Sequence, residues 1–179
     1  MKKKLGIIGG SGLYEIDGFS ESSWETIKTP WGNPSDQILN LKFNDQEVCF
    51  MPRHGRGHTV SPSNINFRAN IDALKQKGVT DIISVSAVGS LKDELPPGKF
   101  VLIDQFIDRT YARTNTFFDE EIVAHVSMAQ PTSNDLTRLC SSALDRLKVD
   151  YQHGGLYLAM EGPQFSSKAE SILYKSWGV

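Results

Sequence analysis

Three segments of this sequence carry residue types suited to holding an anion, and each follows an apolar run. Gly9-Gly10-Ser11-Gly12 follows Leu5-Gly6-Ile7-Ile8, and Arg53-His54-Gly55-Arg56-Gly57-His58 follows Val48-Cys49-Phe50-Met51. Ser86-Ala87-Val88-Gly89-Ser90 follows Ile82-Ile83-Ser84-Val85. Glycines let backbone N–H groups approach a charged ligand, serines add hydroxyl donors, and Arg53 adds a fixed fork of positive charge. If the three apolar runs are neighbouring strands, the loops converge at one end of a sheet, where open α/β sheets bind ligands. Phosphate or a phosphate ester suits that chemistry.

Competing readings of the same residues are weaker. A dinucleotide fingerprint fails, because Glu15 stands where its third glycine belongs, and no Walker lysine motif occurs. His54 and His58 have helix-like metal spacing, but Gly55 and Gly57 oppose a helix and no third ligand is evident, so no metal is expected. Arginine offers bidentate contacts and histidine can be cationic near neutrality, so the 53–58 loop suits a phosphate better; the plain alternative is a solvated basic loop. Phe165, in a glycine–proline loop, is a surface on which a nucleobase could stack, or a core residue. His125, between Val123 and Val126, reads as a core or interface histidine. Asp104, Asp108 and Arg109 read as an internal ion-pair group at a strand end.

The elements that would position these residues follow from pattern. Lys4–Ile8 reads as a buried strand, and 29–36 (TPWGNPSD) as a breaker-rich loop. Ile38–Phe43 and Val48–Met51 form a hairpin around Asn44-Asp45. A helical segment opens at Pro62, with Phe67, Ile71 and Leu74 on one face and Gly78 as its stop. Val79–Val85 and Phe100–Ile107 are strands. Thr110–Glu121 has no clear period, so it is either a loop lying over something or a mobile surface segment. Leu136, Leu139, Cys140, Ala143, Leu144 and Leu147 keep helical spacing. Leu156–Met160 is a strand, 161–165 a loop, and Ser167-Lys168-Ala169-Glu170 has capping-box spacing for a last helix. Gly178 suits a helix C-cap and Val179 the start of another buried strand, so the sequence reads as stopping in mid-fold.

Strands and helices alternate apart from the hairpin. The expected architecture is one α/β domain over 1–179, with a mixed, largely parallel sheet, helices on both faces (three-layer α/β/α), and its C-terminal part incomplete. The 179 residues carry 19 Lys and Arg against 21 Asp and Glu, a net charge of −2. That balance favours neither nucleic acid nor a membrane surface as partner. No apolar run has the length of a signal peptide or a bilayer span. Two isolated cysteines, Cys49 and Cys140, argue against a disulfide framework and for a reducing cytoplasm.

Taken in order, these stretches resemble the 5′-methylthioadenosine phosphorylase branch of the trimeric purine nucleoside phosphorylases. They are 7–12 (IIGGSG), 29–36, 53–58, 86–91 (SAVGSL), 103–110 (IDQFIDRT) and 161–167 (EGPQFSS), and the resemblance runs over essentially the whole chain. It implies phosphorolysis of 5′-methylthioadenosine to adenine and 5-methylthioribose 1-phosphate, within purine and methionine salvage. It implies that Ser11, Arg53, His54, Ser86 and Ala87 hold phosphate and that His58 completes that wall or approaches the sugar. Ala87, Val88 and Gly89 would line base and sugar, Phe165 would pack on the nucleoside, and Ser166 would tune base preference. His125 would reach the 5′ end of a nucleoside in a neighbouring subunit of a homotrimer. No metal or organic cofactor is implied, phosphate being a co-substrate. Family members continue past Val179, and the acid that assists the departing purine is expected there, so no catalytic residue is assigned within this chain. Two alternatives stand beside this reading: a purine nucleoside or 5′-methylthioinosine phosphorylase of the same fold, and a non-catalytic phosphate- or nucleoside-binding fragment.

Overall fold

The computed structural model describes residues 3–13, 21–118 and 121–179. Residues 1–2, 14–20 and 119–120, and with them parts of the basic start and of the Thr110–Glu121 stretch, lie outside the described residues, as does the Ser11 side chain. The chain divides into two compact units: Met1–Ala87 with Ala112–Asp119, and Val88–Tyr111 with Glu120–Val179.

The first unit is built on a five-stranded sheet of β1 (Leu5–Gly9), β2 (Glu21–Glu25), β3 (Ile38–Phe43), β4 (Gln46–Pro52) and β5 (Asp81–Ser84). The strand order is β2-β3-β4-β1-β5. The hairpin β3–β4 and its neighbour β2 are antiparallel, whereas β1 runs parallel to both β4 and β5. Asn44 turns the hairpin at φ 50°, a conformation its short polar side chain tolerates. Alternation on β4 sends Cys49 and Met51 to one face and Val48 and Phe50 to the other. On the first face they meet Ile38, Ile8, Val79 and Ile82, and Ala73 and Leu74 of helix α1 (Phe67–Gln76). On the second they meet Leu39, Leu41, Ile7, Leu13 and Trp24. A strand buried on both faces must be apolar throughout, which is why Val48–Met51 reads as an unbroken run.

Helix α1 begins later than Pro62: residues Pro62–Asn64 form a short 3-10 turn, and Asn66 caps α1 by accepting from the Ala69 amide at 3.1 Å. Its buried face is Ala69, Asn70, Ala73 and Leu74, so Ile71, expected inside, is exposed and Phe67 only half-buried. Residues 112–118 lie against this end of the unit. Phe117 meets Trp31 edge-on at 5.1 Å between centroids, and the Arg68 guanidinium sits 4.7 Å over Trp31.

The second unit pairs β6 (Phe100–Leu102) with β8 (Tyr151–His153) and β7 (Gln105–Arg109) with β9 (Leu156–Met160), both parallel. The single strand expected over Phe100–Ile107 is therefore two. The break falls where the Asp104 carboxylate accepts the Gly155 amide at 3.1 Å and Gly155 returns its carbonyl to the Asp104 amide at 3.2 Å. Gly154, at φ +81°, makes the matching break between β8 and β9. Helices α2 (Asn134–Leu147) and α3 (Lys168–Ser176) start on Ser133 and Ser167, and Ser167 with Glu170 closes both bonds of the capping box. The expected ion-pair group also resolves differently. Asp104 and Asp108 accept backbone N–H groups from Gly155 and Thr110, and Arg109 lies 5.9 Å over Trp177. Among the described residues no helix is long and apolar enough to cross a membrane.

Candidate functional site

Because β1 lies parallel between β4 and β5, the C-terminal ends of all three strands face the same edge of the first unit. Gly9 pairs with Pro52 and Ile8 with Ser84, so the loops after them leave side by side. Two backbone bonds fasten these exits: the Arg53 amide donates to the Gly9 carbonyl and the Val85 amide to the Ile8 carbonyl, each at 2.9 Å. Glycine at position 9 leaves room for its neighbours, since a Cβ would stand 2.7 Å from Leu13 and 3.0 Å from Phe50, which would have to shift.

Arg53 is the centre of this edge. Its Nη1 donates to Ser86 Oγ at 2.5 Å and to the Val85 carbonyl at 3.3 Å, and its Nε donates to His54 Nε2 at 3.2 Å. Its Nη2 faces the first loop, 3.9 Å from where a Cβ on Gly10 would lie. Ser86 and Ala87 are exposed, so the Arg53–Ser86 pair is open to a ligand from solution. The structure thus brings together Arg53, His54, Ser86 and the backbone of the glycine loop that contains Ser11.

His54 is buried, at 8% exposure, and its Nδ1 lies 2.8 Å from the Val60 carbonyl. Burial pushes its pKa below the ordinary histidine value, and the charges of Arg53 and His58 add to this while the bond to Val60 opposes it. His58 stacks on it, 4.5 Å between centroids and 20° from parallel, from a left-handed backbone at φ 57°. Left-handed Gly55 and Gly57 also rule out a helix across 54–58. Among the described residues no group of three or more His, Cys, Asp or Glu is placed to hold a metal ion.

Arg56, counted with Arg53 as an anion donor by residue type, is committed elsewhere. Its backbone N, Nε and Nη2 all donate to the Asp36 carboxylate, at 2.6, 3.0 and 2.9 Å, and its guanidinium lies 4.0 Å over the Trp24 ring. Burial disfavours ionisation of Asp36, but the Arg56 side-chain and backbone bonds outweigh it and hold the carboxyl below its ordinary value. Next to it, Ser35 gives its amide to Asn70 Oδ1 at 2.7 Å and accepts from Asn70 Nδ2 at 2.9 Å. A Cβ on Gly55 would stand 3.0 Å from the Ser35 carbonyl. The 29–36 loop is therefore a brace between α1 and the 53–58 loop. The breakers of that loop are legible in the sequence, but the parts played by Asp36, Ser35 and Asn70 are not. The one available signal was an acid closing a turn-rich stretch.

Five expected substrate residues belong to the second unit. Val88 and Gly89 are exposed at its start, and Phe165 is 95% exposed. Ser166 is half-buried, its hydroxyl 2.8 Å from that of Ser171. His125 lies in an irregular stretch, 121–130, whose residues are all exposed, so it is not a core histidine of this chain. Glu161 accepts the Tyr111 amide at 2.7 Å.

A family model of the phosphorylase superfamily matches residues 4–179. The chain belongs to the phosphorylase superfamily. Among relatives of this superfamily member, an S-methyl-5'-thioadenosine phosphorylase of Cereibacter sphaeroides is 56% identical over 178 residues, 99% of this chain and 61% of that protein. The protein of the same name from Rhodospirillum rubrum is 57% identical over 174 residues, 97% of this chain and 59% of that one. The chain thus spans about three fifths of the length of these relatives. The crystal structure of a methylthioadenosine phosphorylase from an antarctic soil metagenomic library matches with a TM-score of 0.93 at 44% identity, covering 98% of this chain and 62% of that one. Methylthioadenosine phosphorylase from Schistosoma mansoni in complex with adenine matches with a TM-score of 0.93 at 34% identity, covering 99% and 72%. The superfamily chain shares their α/β fold with its mixed sheet.

Proposed function

We propose that this chain supplies the phosphate-holding part of an enzyme that cleaves 5′-methylthioadenosine with inorganic phosphate, giving adenine and 5-methylthioribose 1-phosphate. The observation that carries the proposal is the pairing of half-buried Arg53 with exposed Ser86 at the ends of β4 and β5, beside the glycine turn that follows β1. The names of its relatives support the choice of nucleoside.

In this reading phosphate is both nucleophile and electrostatic partner. One of its oxygens bonds to the anomeric carbon of the sugar as the bond from that carbon to the purine breaks. The electron pair leaves with the base, which a proton completes as adenine. Arg53, Ser86, Ala87 and the loop of Ser11 hold and orient the dianion, so the sugar's developing positive charge meets a fixed negative one. His58, Val88, Gly89, Phe165, Ser166 and a neighbouring subunit's copy of His125 take the nucleoside contacts assigned by resemblance. The acid that assists the purine is not assigned to any residue of this chain. The enzyme works as a cytoplasmic homotrimer in purine and methionine salvage, with no cofactor, nucleic acid or membrane partner.

The test is adenine release from 5′-methylthioadenosine with and without phosphate. Release should require phosphate, and Arg53→Ala should weaken the use of phosphate by about 1.5–3 kcal/mol, the worth of a charged hydrogen bond. Phosphate dependence unchanged in Arg53→Ala would remove this residue from the site, and phosphate-independent release would overturn the reaction.

A further inference from the structure

We infer that His54 acts on the bound anion through Arg53: its neutral ring is the acceptor that fixes the guanidinium toward Ser86, which makes it a positioning residue and not a cationic ligand. This rests on reading the Arg53–Ser86 pair as the anion site.

The hydrogen bonds determine the tautomer. The Val60 carbonyl can only accept, so the ring nitrogen 2.8 Å away, Nδ1, carries the hydrogen. The Arg53 Nε–H can only donate, so the ring nitrogen 3.2 Å away, Nε2, presents its lone pair. Both nitrogens are thereby occupied, and the ring has no further polar atom to offer a ligand. The ring itself is held by stacking on His58 and by the Val60 amide, which donates back to the His54 carbonyl at 2.9 Å. Arg53 is then fixed on two sides, at Nε by His54 and at Nη1 by Ser86 and Val85, leaving Nη2 aimed at the glycine loop.

Protonating His54 would place an N–H at Nε2 against the Arg53 Nε–H and set two cations side by side. The charged or titratable groups that face the ring are Arg53 and His58 of its own loop, since Arg56 is neutralised by Asp36 from the 29–36 loop. Val60, Val85 and Ser86 do not titrate. The two possible roles of His54 therefore predict opposite signs. A cationic ligand binds an anion better on acidification; an acceptor that positions Arg53 loses its bond and binds the anion worse.

The experiment uses the full chain and sulfate, whose charge does not change between neutral and mildly acidic pH as that of phosphate does. Imidazole ¹⁵N chemical shifts report the tautomer without any anion present. Sulfate titrations then compare the parent with His54→Gln, His54→Phe and Arg53→Ala. We expect the Nδ1–H tautomer at neutral pH and sulfate affinity that falls on acidification in the parent. In His54→Gln, whose amide oxygen can still accept from Arg53, affinity should stay within about twofold at neutral pH and lose that part of the pH dependence. His54→Phe, without an acceptor, should bind on the order of tenfold more weakly. An Nε2–H tautomer, or affinity that rises on acidification in the parent but not in His54→Gln, overturns the positioning role while leaving the anion site intact. Sulfate binding that survives Arg53→Ala overturns the anion site itself, and this inference with it.

Discussion

Arg53 and Arg56 share one glycine-rich loop and do different work. Residue type alone assigns both to an anion, and nothing in their spacing says otherwise. Asp36 makes the distinction: it takes three donors of Arg56, side chain and backbone, and leaves Arg53 to face Ser86. A partner separated by a hairpin is invisible to local pattern, whereas the donor set at the three strand ends was visible because each donor follows its own strand. The Asp36 bond has a pH signature. Its native pKa lies below the ordinary value, so its stabilisation is fully present above the ordinary aspartate range. It is lost as the pH falls from there through the lowered native value. Asp36→Ala also strands the Arg56 and Gln37 amides, which donate to this carboxylate at 2.6 and 2.7 Å. We expect Asp36→Ala to lower unfolding stability by roughly 1–3 kcal/mol at neutral pH, the cost of leaving such donors unpaired. The gap to the parent should close in acid. Urea denaturation at several pH values measures this, and a gap that stays constant into the acid range would show that the ionised carboxylate is not what braces the loop.

At the scale of elements, legibility followed the strength of the signal. Strands β1, β3, β4, β5 and β9 and helices α2 and α3 announce themselves by apolar runs, helical spacing or capping residues. Strand β2 (Glu21–Glu25) was missed because it lies at the sheet edge and carries Ser22, Ser23 and two glutamates, with only Trp24 among the packed hydrophobic residues. Strand β8 is three residues long and has no period to read. The break at Asp104 depends on a bond to Gly155 from a distant strand, so a continuous apolar run hides it. On α1 the expected apolar face shifted because Asn70, 3% exposed, is drawn inward by Ser35 and takes Ile71's place in the interior. The capping box of α3 was legible because both partners are local. Ser167→Ala removes the acceptor of the Glu170 amide and should cost about 1 kcal/mol of stability. Thermal unfolding of the variant measures it; an unchanged midpoint would mean that the end of α3 opens before the rest of the chain unfolds.

The largest scale concerns surface that one copy does not cover. The first unit has a closed interior, with Cys49, Phe50, Met51, Ala69, Ala73 and Leu74 all at 0% exposure. In the 121–130 stretch, by contrast, Ile122, Val123, Val126 and Met128 are between 54% and 79% exposed. An exposed apolar strip of this kind is a candidate contact surface for the proposed assembly. Periodicity says nothing about this strip, because an irregular segment carries no repeat to read. The proposed homotrimer gives the strip a role, since head-to-tail contacts close a ring in which each copy lends a segment to the next. Placing a charge in such a contact without a partner strongly disfavours association. Val123→Asp should therefore shift the mass measured by sedimentation or light scattering from trimer toward monomer. It should leave Arg53-dependent sulfate binding unchanged, because Arg53 and Ser86, the donors proposed for that site, meet within one copy. A parent chain that is monomeric at every concentration overturns the trimer. A parent trimer that Val123→Asp leaves intact places the contact elsewhere, and the exposed position of His125 would then have nothing to do with assembly.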